Sequence, residues 1–383
     1  MNYQQLIDTG IHHRELTEPE QALACFGQAF ILVPDSAAAF NNYGNTLREM
    51  GFPQRAIPFL QHACILDPNM DTAHFNLAVA TLMTGDLQTG MKLYESRWNF
   101  EHLKGMLPQF SQPQWRGQDL QNRTILIFGE QGHGDVIQFV RFLADLQKLK
   151  PKRILFQGLP NISSLLQNSF PGVDILDPSQ PLPDFDYWCM AMSLPIGLNL
   201  TYDTLNAPPC YLQAPPSTVN LWRSRLAPKT QPRVGVCWSG RKDTWLNRHK
   251  AVPFQHVVEL IRNNPQLHWI NLQADATQEE NQVLTKLGVS QYPGTIQCWA
   301  DTAGLIQNLD LVIGMDTAVS HLAGALGIPV WIMLNQYALD WRWLLDRNDS
   351  PWYPSAKLFR QPRRGDWASV IQQICHYLRQ SKL

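Results

Sequence analysis

Gly314-Met-Asp-Thr-Ala-Val-Ser-His-Leu-Ala-Gly-Ala-Leu-Gly-Ile-Pro329 follows the apolar run Leu309-Asp-Leu-Val-Ile313 and leads into a second one, Pro329–Leu334. The first run, closed by a glycine, reads as a buried strand. A helix follows, because Ala318, Leu322, Ala325 and Leu326 recur at i, i+4, i+7 and i+8. Asp316 or Thr317 can cap its start, and Gly327 suits a left-handed stop. Strand, capped helix and strand in this order make a unit of a parallel sheet. Thr317, His321 and Gly324 fall off the core stripe, on the face next to the crevice of such a sheet. The free N–H groups and dipole of a helix start favour an anion such as a diphosphate. Ala323 and Gly324 keep this face thin enough for close approach. The same residues equally suit an ordinary, well-capped sheet helix.

Working outward, the same alternation fills the chain from residue 123 on. Strands are expected at Thr124–Phe128, Arg153–Phe156, Val173–Leu176 and Asp186–Met192, with helices at Val136–Lys148 and Ile162–Asn168. After the prolines at 208, 209, 215 and 216 the pattern restarts. Strands follow at Arg233–Trp238, His268–Leu272, Leu309–Ile313 and Pro329–Leu334. Helices follow at Phe254–Asn263, Gln278–Leu287, Thr302–Gln307, Thr317–Leu326 and Trp367–Leu378. Two such blocks imply two doubly wound, Rossmann-like α/β domains facing a cleft, at 123–220 and 221–383.

The first hundred residues obey a different rule. At a 34-residue spacing Gly10, Gly44 and Ala78 align, as do Ala22, Ala56 and Gly90, then Phe26, Leu60 and Tyr94. Ala29, Ala63 and Arg97 follow, and Pro34 and Pro68 close the first two copies. Small residues let paired helices approach, a large apolar residue fills the gap, and proline stops the second helix. These columns resemble the tetratricopeptide repeat, so residues 1–104 are expected to be three α-helical repeats that dock a protein partner or serve only as a structural or dimerising stack. Residues 105–122, with Gly105, Pro108, Pro113 and Gly117 and no periodicity, read as a linker packed by Trp115.

Composition narrows the function. The net charge of −1, with no basic tract, argues against nucleic acid as a partner. No apolar run reaches the roughly 20 residues of a membrane span, and no secretory leader opens the chain, so a cytoplasmic location is expected. Seven scattered cysteines, none spaced as C-x-x-C, read as free thiols rather than as a disulfide frame or a zinc site. Asp184-Phe-Asp186 has a metal-binding form but precedes a strand, and it is set aside together with His12-His13. No metal and no cofactor are expected.

Asp316-Thr-Ala-x-x-His321-x-Ala-x-Ala-x-Gly327-x-Pro329 resembles the donor-site signature of bacterial heptosyltransferases, which are inverting enzymes of the GT-B fold. Glu130-Gln-Gly-His-Gly-Asp135, about 180 residues earlier, resembles the Gly-Asp turn of the same family. The whole chain is similar to bacterial tetratricopeptide-repeat proteins with a heptosyltransferase-like domain, which share Asp340–Trp343 and Ser350–Pro354. The resemblance implies a metal-independent glycosyltransferase that takes a nucleoside-diphosphate-sugar as substrate and a protein or glycan as acceptor. It makes Asp135, in the turn of Gly132, His133 and Gly134, the general base; an Asp at a helix start is also a common cap. It gives Asp316 to the sugar hydroxyls, and Thr317 with Gly314, Ala318 and His321 to the donor. Ser239 and either Arg248 or Lys250, in Trp238–Lys250, would face the phosphates. Trp341 and Trp343 would wall the cleft or lie in a core. A protein O-glycosyltransferase and a non-catalytic adaptor that kept the fold are the competing expectations.

Overall fold

The computed structural model describes residues 1–240 and 250–381, with only the backbone for 101 and 102. The chain forms two compact units. One comprises 1–111, 199–205 and 336–347, and the other holds the remaining described residues.

The first unit is built on three antiparallel helix pairs. These are α1 (Tyr3–Glu15) with α2 (Pro19–Leu32), α3 (Ala37–Glu49) with α4 (Pro53–Leu66), and α5 (Asp71–Met83) with α6 (Leu87–Tyr94). The aligned columns explain the pairing. A Cβ on Gly10 would stand 2.5 Å from the Phe26 ring, and one on Gly44 would stand 2.8 Å from Leu60, so glycine is what admits the large partner. Within each pair the turn needs a left-handed residue at the same repeat position, filled by Thr17 (φ 59°), Gly51 (φ 84°) and Gly85 (φ 91°). Proline at the first helical position starts α2 and α4, where its missing N–H is harmless.

The third repeat ends differently. After α6 the chain tightens into a 3₁₀ turn, and the buried Arg97 guanidinium lies over Trp98, 4.4 Å from its ring centroid, and on Glu95 at 2.6 Å. The remote segment 336–347 completes this unit. Tyr337 Oη donates to Glu49 Oε2 and the Ala338 N–H donates to the Glu49 carbonyl, both at 2.8 Å, while Trp341 lies 6.5 Å from Tyr94. Trp341 and Trp343 are therefore buried in the repeat unit, the second of the two places expected for them.

The second unit holds two fully parallel sheets. The first comprises β1 (Thr124–Phe128), β2 (Arg153–Gln157), β3 (Val173–Ile175) and β4 (Tyr187–Met190), in the order β3-β2-β1-β4. The second comprises β5 (Arg233–Val236), β6 (His268–Asn271), β7 (Leu311–Met315), β8 (Val330–Leu334) and β9 (Ala356–Arg360), in the order β6-β5-β7-β8-β9. Apolar runs such as Ile125-Leu-Ile127 and Leu311-Val-Ile313 are buried throughout, as parallel strands covered on both faces require. Asp186 accepts from Thr124 N at 2.7 Å and from Arg123 at 3.0 Å, so it ties β4 to the start of β1.

The helix expected over 136–148 starts earlier and is broken. It runs as α7 (His133–Phe139), a 3₁₀ turn at Val140–Phe142, and α8 (Leu143–Lys148). Val140, Arg141 and Phe142 of the turn are all buried, continuing the buried run Val136–Phe139 of α7. The second sheet gains an edge strand, β9, and the helix expected at 302–307 begins at Trp299.

Candidate functional site

Each sheet reverses its strand order once, and a crevice opens there beyond the carboxyl ends of the strands. In the first sheet the reversal lies between β1 and β4, and the turn leaving β1 is Gly129–Gly132. In the second it lies between β5 and β7, where the chain continues into Cys237–Ser239 and Asp316-Thr317. The two segments singled out in the sequence thus sit at the two switch points.

The turn after β1 is fixed by close approach. A Cβ on Gly129 would come within 3.2 Å of the Gly158 backbone, and Gln131 takes a left-handed φ of 58°. Glu130 is buried and accepts the Met192 N–H at 3.1 Å. Asp135 is half-buried in the first turn of α7, where its carboxylate accepts the Gly132 N–H at 3.0 Å. Asp135 is therefore not the N-cap itself, which is Gly132, but the third residue of the helix reaching back to it.

From the other side comes α9 (Ala318–Ala325), which starts straight out of β7. Thr317 is its capping position by backbone geometry, without a side-chain cap bond, and its Oγ1 lies 3.9 Å from Cys237 Sγ. Burial pushes that thiol up to about 11. Gly314 has no room for a Cβ, which would stand 2.5 Å from Ser320 Oγ. Gly327 takes the left-handed φ of 74° expected of it. Gly134 of α7 faces α9 closely enough that a Cβ would lie 3.2 Å from His321 Cδ2 and 3.5 Å from Ala318 Cα. Gly132, His133 and Gly134 thus stand beside the helix that carries His321.

At the centre is a buried ion cluster. Lys250 Nζ donates to Asp316 Oδ2 at 2.8 Å, and His321 Nε2 lies 3.6 Å from Asp316 Oδ1. Burial works to raise the Asp316 carboxyl, but Lys250 and His321 outweigh it and hold the group well below the usual carboxylate range. Ser239 is buried too, and its hydroxyl bonds to no described residue. Arg248 lies outside the described residues.

Sequence reasoning missed Gln273. Its Oε1 accepts from the Trp238 N–H (3.0 Å), the Ser239 N–H (2.9 Å) and the Cys237 thiol (3.3 Å), and so shapes the turn that presents Ser239. Gln273 also lines a cavity of about 700 Å³, together with Asn271, Asn281, Gln291, Tyr292 and Trp299. Val319, two residues into α9, reaches the same cavity, and among the described residues no charged side chain lines it. His133 sets its ring 5.3 Å from Trp299, joining the glycine turn to the cavity wall. Scattered amides carry no spacing signal, so this cavity could not be read from the sequence.

No family model matches the chain. It is 27% identical to protein FlbA of Caulobacter vibrioides, over 96% of this chain and 71% of that one. Among solved structures, the family 9 glycosyl transferase of Veillonella parvula covers 68% of this chain and 91% of its own, at 12% identity and a TM-score of 0.50. The ADP-heptose lipopolysaccharide heptosyltransferase II of E. coli matches at 14% identity over 67% of this chain and 98% of its own, with a TM-score of 0.49. The second unit has a heptosyltransferase-like GT-B fold. The chain as a whole is a set of tetratricopeptide-like repeats joined to that fold, and it is distantly similar to FlbA. In this heptosyltransferase-like unit the Asp316–His321 signature and the Gly-Asp turn face each other across the packing of α7 on α9.

Proposed function

We propose that the second unit transfers a sugar from a nucleoside-diphosphate-sugar to a hydroxyl acceptor, with inversion and without a metal. The observation that carries this reading is an amide-rich cavity with two lining residues tied to the candidate cluster: Gln273 holds the Ser239 N–H, and Val319 sits on the helix that carries His321. A nucleoside matches the cavity in size and chemistry, with Trp299 and Tyr292 as ring surfaces. Its diphosphate would then reach Lys250, the Ser239 hydroxyl and the N–H groups that open α9. Asp316 and His321 would meet the sugar, and Asp135 would take the acceptor proton while keeping its bond to Gly132.

The repeats favour a protein as acceptor or as escort, since stacked helix pairs present an extended docking surface. Two comparisons test the proposal. Thermal melts against ADP, UDP, GDP and CDP, and against their sugars, should show one nucleotide that stabilises the chain by about 2.7 kcal/mol at a hundred times its dissociation constant. Transfer from the matching sugar should then be found on a peptide or glycan. Binding without any turnover would make the chain an adaptor, and no binding at all would remove the reading.

A further inference from the structure

Strands β5 and β6 part company after their last paired residues, Val236 and Asn271. The Leu272 N–H still reaches the Val236 carbonyl at 3.0 Å, and the chain then turns at Ala274-Asp275. Gln273 folds its own N–H back onto Asn271 Oδ1 at 2.8 Å and sends its buried side chain across to the end of β5. There its Oε1 takes the place of a strand carbonyl, accepting from the Trp238 and Ser239 N–H groups and the Cys237 thiol. Two backbone N–H groups can only donate, so the atom that meets them must be the amide oxygen. The amide nitrogen is thereby turned to Asp275, where it donates to Oδ1.

The turn closed in this way carries Ser239, which is 4% exposed and whose hydroxyl bonds to no described residue. A buried hydroxyl without a partner is unfavourable, and an arriving phosphate oxygen would accept from it. The Trp238 and Ser239 N–H groups are taken by Gln273, so the hydroxyl, not these amides, is what the turn offers to a phosphate. A glutamine closes the turn without charge, whereas a carboxylate in its place would set a negative group beside the diphosphate. Gln273 also lines the cavity that suits the nucleoside, so one side chain belongs to both halves of the donor site.

We propose that Gln273 is a positioning residue: it closes the turn after β5 with a neutral oxygen and so holds the Ser239 hydroxyl toward the donor's diphosphate. This rests on the donor-site reading above and adds a residue that neither signature segment contains. A residue that only walled the cavity would serve the nucleoside and leave the worth of Ser239 untouched.

The test is what the Ser239 hydroxyl contributes in three backgrounds. The full chain is titrated calorimetrically with whichever of ADP, UDP, GDP and CDP stabilises it most, and with the corresponding nucleoside. In the wild type, Ser239→Ala should weaken the diphosphate about tenfold, the scale of one hydrogen bond to a charged group, and leave the nucleoside within about twofold. Gln273→Leu fills similar space but offers the turn no oxygen. In it diphosphate affinity should already be about tenfold lower, and Ser239→Ala should cost nothing further. Gln273→Glu keeps an oxygen for all three donors. Its charge should lower diphosphate affinity as a whole, yet Ser239→Ala should again cost about tenfold. A Ser239 effect that survives in the Leu background overturns the proposal. So does a Gln273→Leu loss equal for nucleoside and diphosphate, which would make Gln273 cavity wall alone. Should the Leu variant fail to fold, the Glu variant decides, because a Ser239 effect that vanished there despite the retained oxygen would also overturn it. A wild type that binds a nucleoside diphosphate but is indifferent to Ser239→Ala removes this proposal and leaves the donor-site reading; a wild type that binds none of the four removes both.

Discussion

Asp135 closes the first turn of α7 and, in the proposed mechanism, also takes a proton, and substitution separates the two tasks. Asn can still accept the Gly132 N–H but cannot take a proton, so Asp135→Asn should lower turnover by roughly 10²-fold or more. Its melting temperature should scarcely move, because the Asn amide oxygen can keep the bond that closes the first turn. Full activity in the Asn variant would dismiss Asp135 as base. Lys250 differs, because it is buried against Asp316. Lys250→Ala should lose about 1.5–3 kcal/mol of stability, since it removes a charge-assisted bond and leaves Asp316 with His321, and should also weaken nucleotide binding measured well below its melting point. Unchanged stability in urea titrations would mean that the pair is not formed in solution. Asp316 also sets an acid limit. A carboxylate whose folded value is depressed adds stability that is complete above its unfolded value and is lost as pH falls below about 4. Acid titration of Asp316→Asn should therefore be flatter than that of the wild type over this range.

Among the elements, α9 shows how a small residue decides packing. Gly324→Ala would push a methyl into Tyr353 and should cost about 1–3 kcal/mol, read as a lower urea midpoint at an unchanged slope. A neutral result would show that the β8–β9 connection can yield. This helix was legible in the sequence from its apolar spacing and its glycine stop, but Ser320 to Ala325 are all buried, so Gly324 faces Tyr353 and not the open crevice expected for it. The edge strand β9 was not, since Ala356-Lys-Leu-Phe-Arg360 is short and half polar and becomes a strand only by pairing with β8. Nor was the break in the helix after α7, which answers to what Arg141 must pack against.

For the whole molecule, the segment 336–347 changes what a deletion can tell. Removing residues 1–100 would strip Tyr94 from Trp341 and Glu49 from Tyr337, so the shortened chain should aggregate rather than report on docking. Trp341→Ala is the gentler probe. It should lower stability by about 3–5 kcal/mol, while nucleotide affinity, measured on the folded fraction, stays within about twofold. A large loss of affinity would couple the repeats to the donor site. Transfer should also survive excess EDTA, because Lys250 and the start of α9 can supply the positive charge that a metal would. Activity that vanishes on chelation and returns with Mn²⁺ would overturn the metal-free mechanism.

What the sequence determined by itself is whatever local periodicity and spacing encode. The 34-residue columns specify paired helices, because Gly10 and Gly44 fit only the residues that recur opposite them. The apolar runs specify two parallel sheets, and Asp316–Pro329 and Glu130–Asp135 are the segments that follow their β7 and β1 strands. The tertiary structure decided what depends on residues far apart in the chain. It sent Trp341 and Trp343 into the repeat unit, gathered Asn271, Gln273, Gln291 and Trp299 around one cavity, and set Tyr353 on His321. No periodicity could announce these contacts, since each depends on two elements arriving at one place, and an amide or a phenol has no chemical meaning until its partner is there.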